Sequence, residues 1–182
     1  FRTQNVHHME ELASHGYIVA SIEHPYDAIA PVFSDGQVAL NNPDILPGNA
    51  ADEQLEPAAQ KLGEQWEGDI RFTLEALAKM NSGQPPTPFL QALDLGRIGV
   101  FGHSTGGGAT SQFCANDPRC AAGLTLDAWM GPVSPAVLDA GVSQPFLFLF
   151  SELWPSARNK ALFDRFFQNV AQPIGVYTIL GS

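Results

Sequence analysis

The feature that most constrains this chain is a pentapeptide of the pattern G-x-S-x-G, Gly102-His103-Ser104-Thr105-Gly106. The apolar run at 97–101 predicts a buried strand before it, and the small residues after it begin a predicted helix at 105–114. A sharp turn between a strand and a helix lifts a serine hydroxyl above the edge of a sheet, where it can act as a nucleophile. We therefore interpret Ser104 as a candidate nucleophile. The alternative is a glycine-rich turn with a capping serine.

Apolar runs alternate with helical patterns along the rest of the chain. The predicted strands are residues 17–22, 97–101, 121–126, 145–150 and 175–180, and the predicted helices are residues 5–14, 52–80, 105–114, 135–140 and 160–170, with a short helical piece at 89–93. Prolines and polar residues between 25 and 48 predict a long loop. Alternating strands and helices form a mainly parallel sheet with helices on both faces. At 182 residues, the chain has the size of one domain spanning 1–182.

Composition excludes several classes of partner. The formal charge of −10 and the sequence pI of about 4.7 argue against binding to nucleic acid or to an anionic membrane. No apolar run reaches the length of a membrane span. Cys114 and Cys120 are six residues apart and form either a disulfide bridge or two buried free thiols. Neither cysteine belongs to a metal-ligand pattern, so we expect no metal site.

A serine hydroxyl needs a base to take its proton and a third group to hold that base. Asp127 directly follows the predicted strand at 121–126, so it is the candidate acid; the alternative is a capping role. In folds with this turn the histidine follows the acid in the chain. All the histidines of this chain precede or adjoin Ser104: His7, His8, His15, His24 and His103. We expect His103 to point away from the Ser104 hydroxyl, and His24 has the wrong chain order to be a base.

The chain resembles a known family over essentially its whole length, least between residues 28 and 62. The most specific part is Leu126-Asp127-Ala128-Trp129-Met130; the other shared stretches are Phe1-Arg2-Thr3, residues 13–20, Glu23-His24, and the pentapeptide with its following Gly107. Together they are similar to the plasma, lipoprotein-associated type of platelet-activating-factor acetylhydrolase. Cutinase-like relatives share the serine turn, but their acid falls much further along the chain.

The resemblance implies an α/β-hydrolase fold and a calcium-independent serine esterase with no cofactor. Its substrates would be phospholipids with short or oxidised acyl chains, cleaved as by a phospholipase A2, or similar small lipid-like esters. Ser104 and Asp127 would belong to a Ser-Asp-His triad, and the main-chain N–H of Thr105 would be one donor of the oxyanion hole. Trp129 would line the acyl pocket, with ordinary core packing as the alternative, and His103 is assigned with it to substrate binding. The resemblance also implies a secreted protein that contacts a lipid or lipoprotein surface.

Two catalytic pieces of the family adjoin the ends of this chain. The family's triad histidine follows a Gly-Ser pair, and this chain ends on Gly181-Ser182. The family's other oxyanion donor precedes the Phe-Arg-Thr sequence at which this chain begins. We therefore expect an internal fragment that lacks the N-terminal strands and the end carrying the histidine, and that is inactive alone. In that case the strand at 17–22 either leaves an empty slot in the sheet or pairs with the strand at 97–101.

Two other functions stay open at this point. One is a cutinase-like or polyester-degrading lipase, and the other is a non-catalytic binding module that kept the serine turn without a base. The oligomeric state and the role of the loop at 25–48 are also open.

Overall fold

The computed structural model describes residues 5–48, 52–154 and 156–182. Residues 1–4, which include the Phe1-Arg2-Thr3 stretch of the resemblance, therefore lie outside the described part. In chain order the elements are α1 (Val6–Ser14), α2 (Asp52–Asn81), β1 (Ile98–His103), α3 (Thr105–Asn116), β2 (Cys120–Leu126), α4 (Pro135–Ala140), β3 (Pro145–Ser151), α5 (Ala157–Phe167) and β4 (Gln172–Ile179).

The four strands form one parallel sheet in the order β1-β2-β3-β4. Each strand is connected to the next through a helix, which is the connection that parallel neighbours require. The register pairs Gly102 with Thr125 and Thr125 with Phe148, so these three residues share one face of the sheet. Because all the strands run the same way, their carboxyl ends meet at one edge, and this edge carries both His103 and the residue after Leu126. The predicted parallel sheet with packed helices is confirmed.

Aromatic side chains fill the core on the face that α5 covers. Phe146, Phe148 and Phe150 alternate along β3 and are buried, because successive residues of a strand point to opposite faces. The rings of Phe163 and Phe166 on α5 meet them edge to face, a favourable arrangement for aromatic pairs. Next to this cluster, α3 packs against β1 and β2. The packing of α3 and α5 fixes the strand ends that carry the candidate site.

The chain divides into two compact units. One comprises Phe1–Gly48 and Asp69–Leu93, and the other comprises Asn49–Gly68 and Asp94–Ser182. The second unit contains the whole sheet, and the first contains α1, the long loop and the second half of α2. The interpretation of residues 1–182 as a single domain stays a prediction.

Two predicted elements are absent from the described residues. The segment at 17–22 forms no strand, and its Tyr17 and Ile18 are 64% and 53% exposed. A β-strand exists through hydrogen bonds to a neighbouring strand, and in the described sheet β1 pairs with β2 alone. The prediction of a strand at 17–22 is therefore wrong, and of the two arrangements that the sequence left open, pairing of this segment with β1 is absent from the described residues. Residues 89–93 form turns instead of a helix, with Gln91 at a φ of 55°.

The predicted loop is confirmed at 25–48, where turns surround one isolated bridge between Val32 and Val38. Cys114 and Cys120 form a disulfide that joins the end of α3 to the start of β2. This resolves the choice that the sequence left open. None of the described helices is long and apolar enough to cross a bilayer.

Candidate active site

Ser104 lies in a sharp turn between β1 and α3. β1 ends at His103 and α3 begins at Thr105, so Ser104 alone connects strand and helix. Its φ and ψ are 55° and −118°, and a positive φ is strained for a residue with a side chain. The strand–turn–helix context predicted for the pentapeptide is therefore present.

Main-chain hydrogen bonds hold Ser104 in this conformation. Its N–H donates to the carbonyl of Leu126, the last residue of β2, at 2.9 Å. Its own carbonyl accepts from the N–H of Gly107 at 3.0 Å, from the N–H of Gly108 at 3.3 Å and from the N–H of Trp129 at 2.9 Å. The serine is thus tied both to its own helix and to the segment that follows β2.

Small residues let the helix approach the strands closely. A Cβ added at Gly102 would overlap the main chain of Gly106, and one added at Gly108 would overlap the carbonyl of Trp129. No side chain fits at either position without moving backbone. The glycines on both sides of Ser104 therefore shape the turn.

Asp127 follows β2 at the same edge of the sheet. Its φ is 45°, and its N–H donates to the carbonyl of Leu149 at 2.8 Å. Ser151, at the end of β3, holds the carboxylate: the Ser151 N–H donates to Oδ1 at 2.6 Å, and its hydroxyl donates to Oδ2 at 2.9 Å. The side chain of Asp127 is 19% exposed, so the carboxylate is fixed yet accessible.

His103 contacts the candidate acid. Its Nε2 is 3.9 Å from Oδ2 of Asp127, which is beyond hydrogen-bond distance but within ion-pair distance. Its ring centre is 5.9 Å from that of Trp154. His103 thus lies near both the acid and the Trp154 ring, and its assignment to substrate binding stays a prediction.

Thr105 and Trp129 both adjoin the main chain of Ser104, Thr105 as the next residue and Trp129 through a hydrogen bond. Thr105 is the first residue of α3, where the N–H groups have no acceptor within the helix. Trp129 donates its main-chain N–H to Ser104. It packs its indole ring against Gly131 and lines a cavity of about 170 Å³. The oxyanion role of Thr105 and the acyl-pocket role of Trp129 stay predictions.

One family matches the chain along its full length. It is described as platelet-activating factor acetylhydrolase, isoform II, and the match runs over residues 1–182. The chain belongs to this family.

Two relatives of this chain have names that agree with the family description. The platelet-activating factor acetylhydrolase of Cavia porcellus is 30% identical over 174 residues, which cover 87% of this chain and 39% of that protein. A probable 1-alkyl-2-acetylglycerophosphocholine esterase of Arthroderma benhamiae is 25% identical over 146 residues, covering 76% of this chain and 31% of that protein. The chain therefore spans about two fifths or less of the length of these two relatives.

A solved structure supports the fold. A ferulic acid esterase from Streptomyces cinnamoneus superposes with a TM-score of 0.67 at 24% identity, over 94% of this chain and 44% of that one. With this likeness and the parallel sheet, the acetylhydrolase family member has an α/β-hydrolase fold.

Sequence reasoning missed two polar residues that organise the site of this family member. Ser151 binds the Asp127 carboxylate, as described above. Asn159 on α5 is 6% exposed; its Oδ1 accepts from the N–H of Met130 at 2.8 Å, and its Nδ2 donates to the carbonyl of Ala128 at 2.8 Å. Ser151 could have been found, because it follows an apolar strand at the sheet edge that Asp127 shares. No sequence pattern pointed to Asn159.

The other histidines have partners in their own parts of the chain. Nδ1 of His24 is 2.6 Å from Oδ2 of Asp69, and His24 is 8% exposed. His15 contacts Glu11 on α1. Among the described residues, no cluster of three or more histidine, cysteine or acidic side chains is arranged to hold a metal ion.

Proposed function

We propose that this chain carries the nucleophile and the acid of a serine esterase, Ser104 and Asp127. The observation that carries the proposal is the strained turn at Ser104 beside the fixed carboxylate at the end of β2. A positive φ outside glycine costs about 1–3 kcal/mol and persists only where the surroundings enforce it. Here four main-chain hydrogen bonds and two glycine contacts enforce it.

The chemistry follows from these positions. As a base removes its proton, Oγ of Ser104 attacks the ester carbonyl carbon, and the electron pair of the C=O bond moves onto oxygen. The main-chain N–H of Thr105 stabilises this oxyanion. Collapse of the intermediate expels the alcohol, which takes the proton from the base. Water then attacks the acyl-enzyme in the same way, releasing a carboxylic acid and restoring the serine.

The base is the remaining part of the triad. Among the hydrogen bonds of the described residues, none joins the Ser104 hydroxyl to an imidazole, and His103 faces Asp127. We propose that the base is a histidine outside residues 1–182, which Asp127 would orient and whose positive charge it would stabilise. On this proposal residues 1–182 alone hydrolyse esters poorly.

The names of the relatives support short-acyl phospholipid esters as substrates, in the manner of a phospholipase A2. Contact with a lipid surface is supported by large apolar side chains that are exposed in the loop: Tyr26, Ile29, Val32, Phe33, Val38 and Leu40. Secretion is supported by the Cys114–Cys120 disulfide, since disulfides persist in oxidising compartments.

The test measures hydrolysis of 1-alkyl-2-acetylglycerophosphocholine by the natural protein that contains these residues. We expect Ser104→Ala to lower kcat at least about 10⁴-fold, with little change in melting temperature. Ser82→Ala is the control, because the hydroxyl of Ser82 binds the carbonyl of Lys79 on α2. Hydrolysis of polyester films without hydrolysis of the phospholipid would instead indicate a cutinase-like lipase. No hydrolysis of any ester by the folded natural protein would indicate a binding module.

A further inference from the structure

The segment Ala128–Met130 joins the candidate acid to the nucleophile. Asp127 directly precedes it, and the main-chain N–H of Trp129 donates to the Ser104 carbonyl at 2.9 Å. The first and last residues of the segment are fully buried. A shift of this segment would therefore move both the carboxylate and the main chain of the nucleophile.

The side-chain amide of Asn159 binds this segment on both sides of Trp129. Its Nδ2 donates to the carbonyl of Ala128 at 2.8 Å, and its Oδ1 accepts from the N–H of Met130 at 2.8 Å. The indole Nε1 of Trp154 is a second, longer donor to the same Ala128 carbonyl, at 3.3 Å. An amide supplies a donor and an acceptor from one planar group, and both are used here to fix the main chain around a single residue.

Asn159 is itself held in a packed part of the fold. It lies in the first turn of α5, where its main-chain N–H donates to Oγ of the N-cap residue Ser156 at 3.2 Å. The helix packs Phe163 and Phe166 against the aromatic side chains of β3. Asn159 is 6% exposed, and at a buried position an unpaired amide is costly, whereas an apolar side chain of similar size is not. The groups that Asn159 binds, and not its packing, therefore account for an amide at this position.

We propose that Asn159 is a positioning residue for ester hydrolysis, which holds Ala128–Met130 so that Asp127 and Ser104 keep their relative positions. This inference rests on the proposed function. Asn159 binds main-chain groups of the segment, so it acts through the acid and the nucleophile. A displacement of about 1 Å at a catalytic group costs about a hundredfold in rate. A residue that fixes geometry in this way should therefore affect kcat far more than KM.

The main variant is Asn159→Leu in the natural protein, which keeps a side chain of similar size and removes both hydrogen bonds. We expect kcat for 1-alkyl-2-acetylglycerophosphocholine to fall about a hundredfold, with KM changing less than about threefold. Hydrogen exchange gives a readout that needs no turnover. The Met130 amide loses its acceptor and should exchange about ten- to a hundredfold faster relative to the amides of β3. A loss of overall stability alone would speed all these amides together.

Asn159→Asp separates the two hydrogen bonds. It keeps the size of the side chain and the acceptor for the Met130 N–H, but it lacks the donor for the Ala128 carbonyl. We expect kcat to fall about tenfold, while the Met130 amide stays as protected relative to β3 as in the parent. This variant stays informative if Asn159→Leu fails to fold.

Gln112→Leu is the matched control. Gln112 is also a buried amide, 4% exposed, and its Oε1 accepts from the N–H of Ser134 at 2.9 Å, outside the segment that Asn159 binds. The control should lower the free energy of unfolding without lowering kcat more than about threefold. It should also leave the Met130 amide unchanged relative to the amides of β3.

Three results would overturn the positioning role of Asn159. They are a kcat of Asn159→Leu close to that of the parent, exchange of the Met130 amide no faster relative to β3 than in the parent, and an equal loss of kcat in Gln112→Leu. If the folded parent hydrolyses no ester, the proposed function fails, and the exchange of the Met130 amide alone decides whether Asn159 fixes the segment.

Discussion

The turn around Ser104 and the segment from Tyr17 to Gly48 are stabilised in different ways. The turn is tied by main-chain hydrogen bonds to residues distant in sequence, Leu126 and Trp129. The segment has mostly local bonds, such as the one from the Phe33 N–H to the Gln37 carbonyl at 2.8 Å. Both regions contain residues with a positive φ, yet only the turn is enclosed by packed secondary structure.

This difference shows how the fold supports a strained residue. Ser104 keeps its conformation because α3, β1 and β2 fix it from several sides. Tyr17–Gly48 depends on turns and on a few long-range contacts such as that between His24 and Asp69. We therefore expect the turn around Ser104 to be more rigid than Tyr17–Gly48, because its main-chain hydrogen bonds join residues that are distant in sequence.

Hydrogen exchange tests the comparison with the largest expected effect. The amides of Ser104 and Trp129 bond to residues distant in sequence, whereas those of Ile18 and Ala20 make no backbone hydrogen bond among the described residues. We expect the first pair to exchange at least about a thousandfold more slowly, because exchange then requires opening of the packed unit. Equal exchange rates, measured by NMR, would remove the basis of the comparison.

Gly102→Ala tests whether close packing holds the turn. The new methyl group would overlap the main chain of Gly106, so we expect the free energy of unfolding to fall by about 3 kcal/mol. The control is Gly68→Ala on α2, where no atom beyond the adjoining helix backbone and the chain neighbours lies within 4 Å of the added Cβ. This control should raise stability by about 0.5–1 kcal/mol. Denaturant unfolding of both variants gives the contrast, and similar losses in the two would contradict it.

Ser151→Ala tests whether the hydroxyl of Ser151 orients the carboxylate of Asp127 in the packed region around the turn. The variant keeps the main-chain bond to Asp127 but loses both hydroxyl contacts. We expect kcat of the natural protein to fall about tenfold with KM nearly unchanged, because the carboxylate loses orientation but not its charge. Ser143→Ala is the control, since Ser143 is exposed and lies before β3. A change in KM alone would argue against a positioning role for Ser151.

The smallest expected effect concerns an exposed ion pair. The hydrogen bonds from Arg165 lower the pKa of the Asp139 carboxyl. Because the folded-state pKa is the lower one, the pair contributes stability above the ordinary pKa and loses it as pH falls through the lowered value. Arg165→Gln should return the pKa of Asp139 toward its ordinary value, as measured by NMR titration. The pKa of Asp94, which Arg97 lowers in the same way, should stay unchanged and serves as the control.

The parts of the fold that the sequence predicted are those in which local pattern and long-range pairing agree. The apolar runs of β1 to β4 each find a neighbouring strand, and the pattern therefore predicted them correctly. Residues 17–22 have the same apolar character but no strand partner among the described residues, and local pattern carries no information about partners. The positions of Ser104 and Asp127 at one sheet edge followed from the strand order.

The supporting residues of the site were less predictable for a physical reason. Asn159 acts through two hydrogen bonds to residues about 30 positions earlier in the chain. Its location on α5 is set by the packing of that helix on β3, which no local signal encodes. The contact of His103 with Asp127 likewise depends on the pairing of β1 with β2.

The main-chain support of Ser104 also bears on how readily its chemistry could be exchanged. The four hydrogen bonds that fix the turn use the N–H and the carbonyl of Ser104, and the close contacts belong to its glycine neighbours. Among the described contacts, none of those that hold the turn is made by the Ser104 hydroxyl. A cysteine at position 104 could therefore place a thiol where the hydroxyl now lies with little structural rearrangement. The fold fixes the backbone of this residue and leaves the identity of its reactive atom open to exchange.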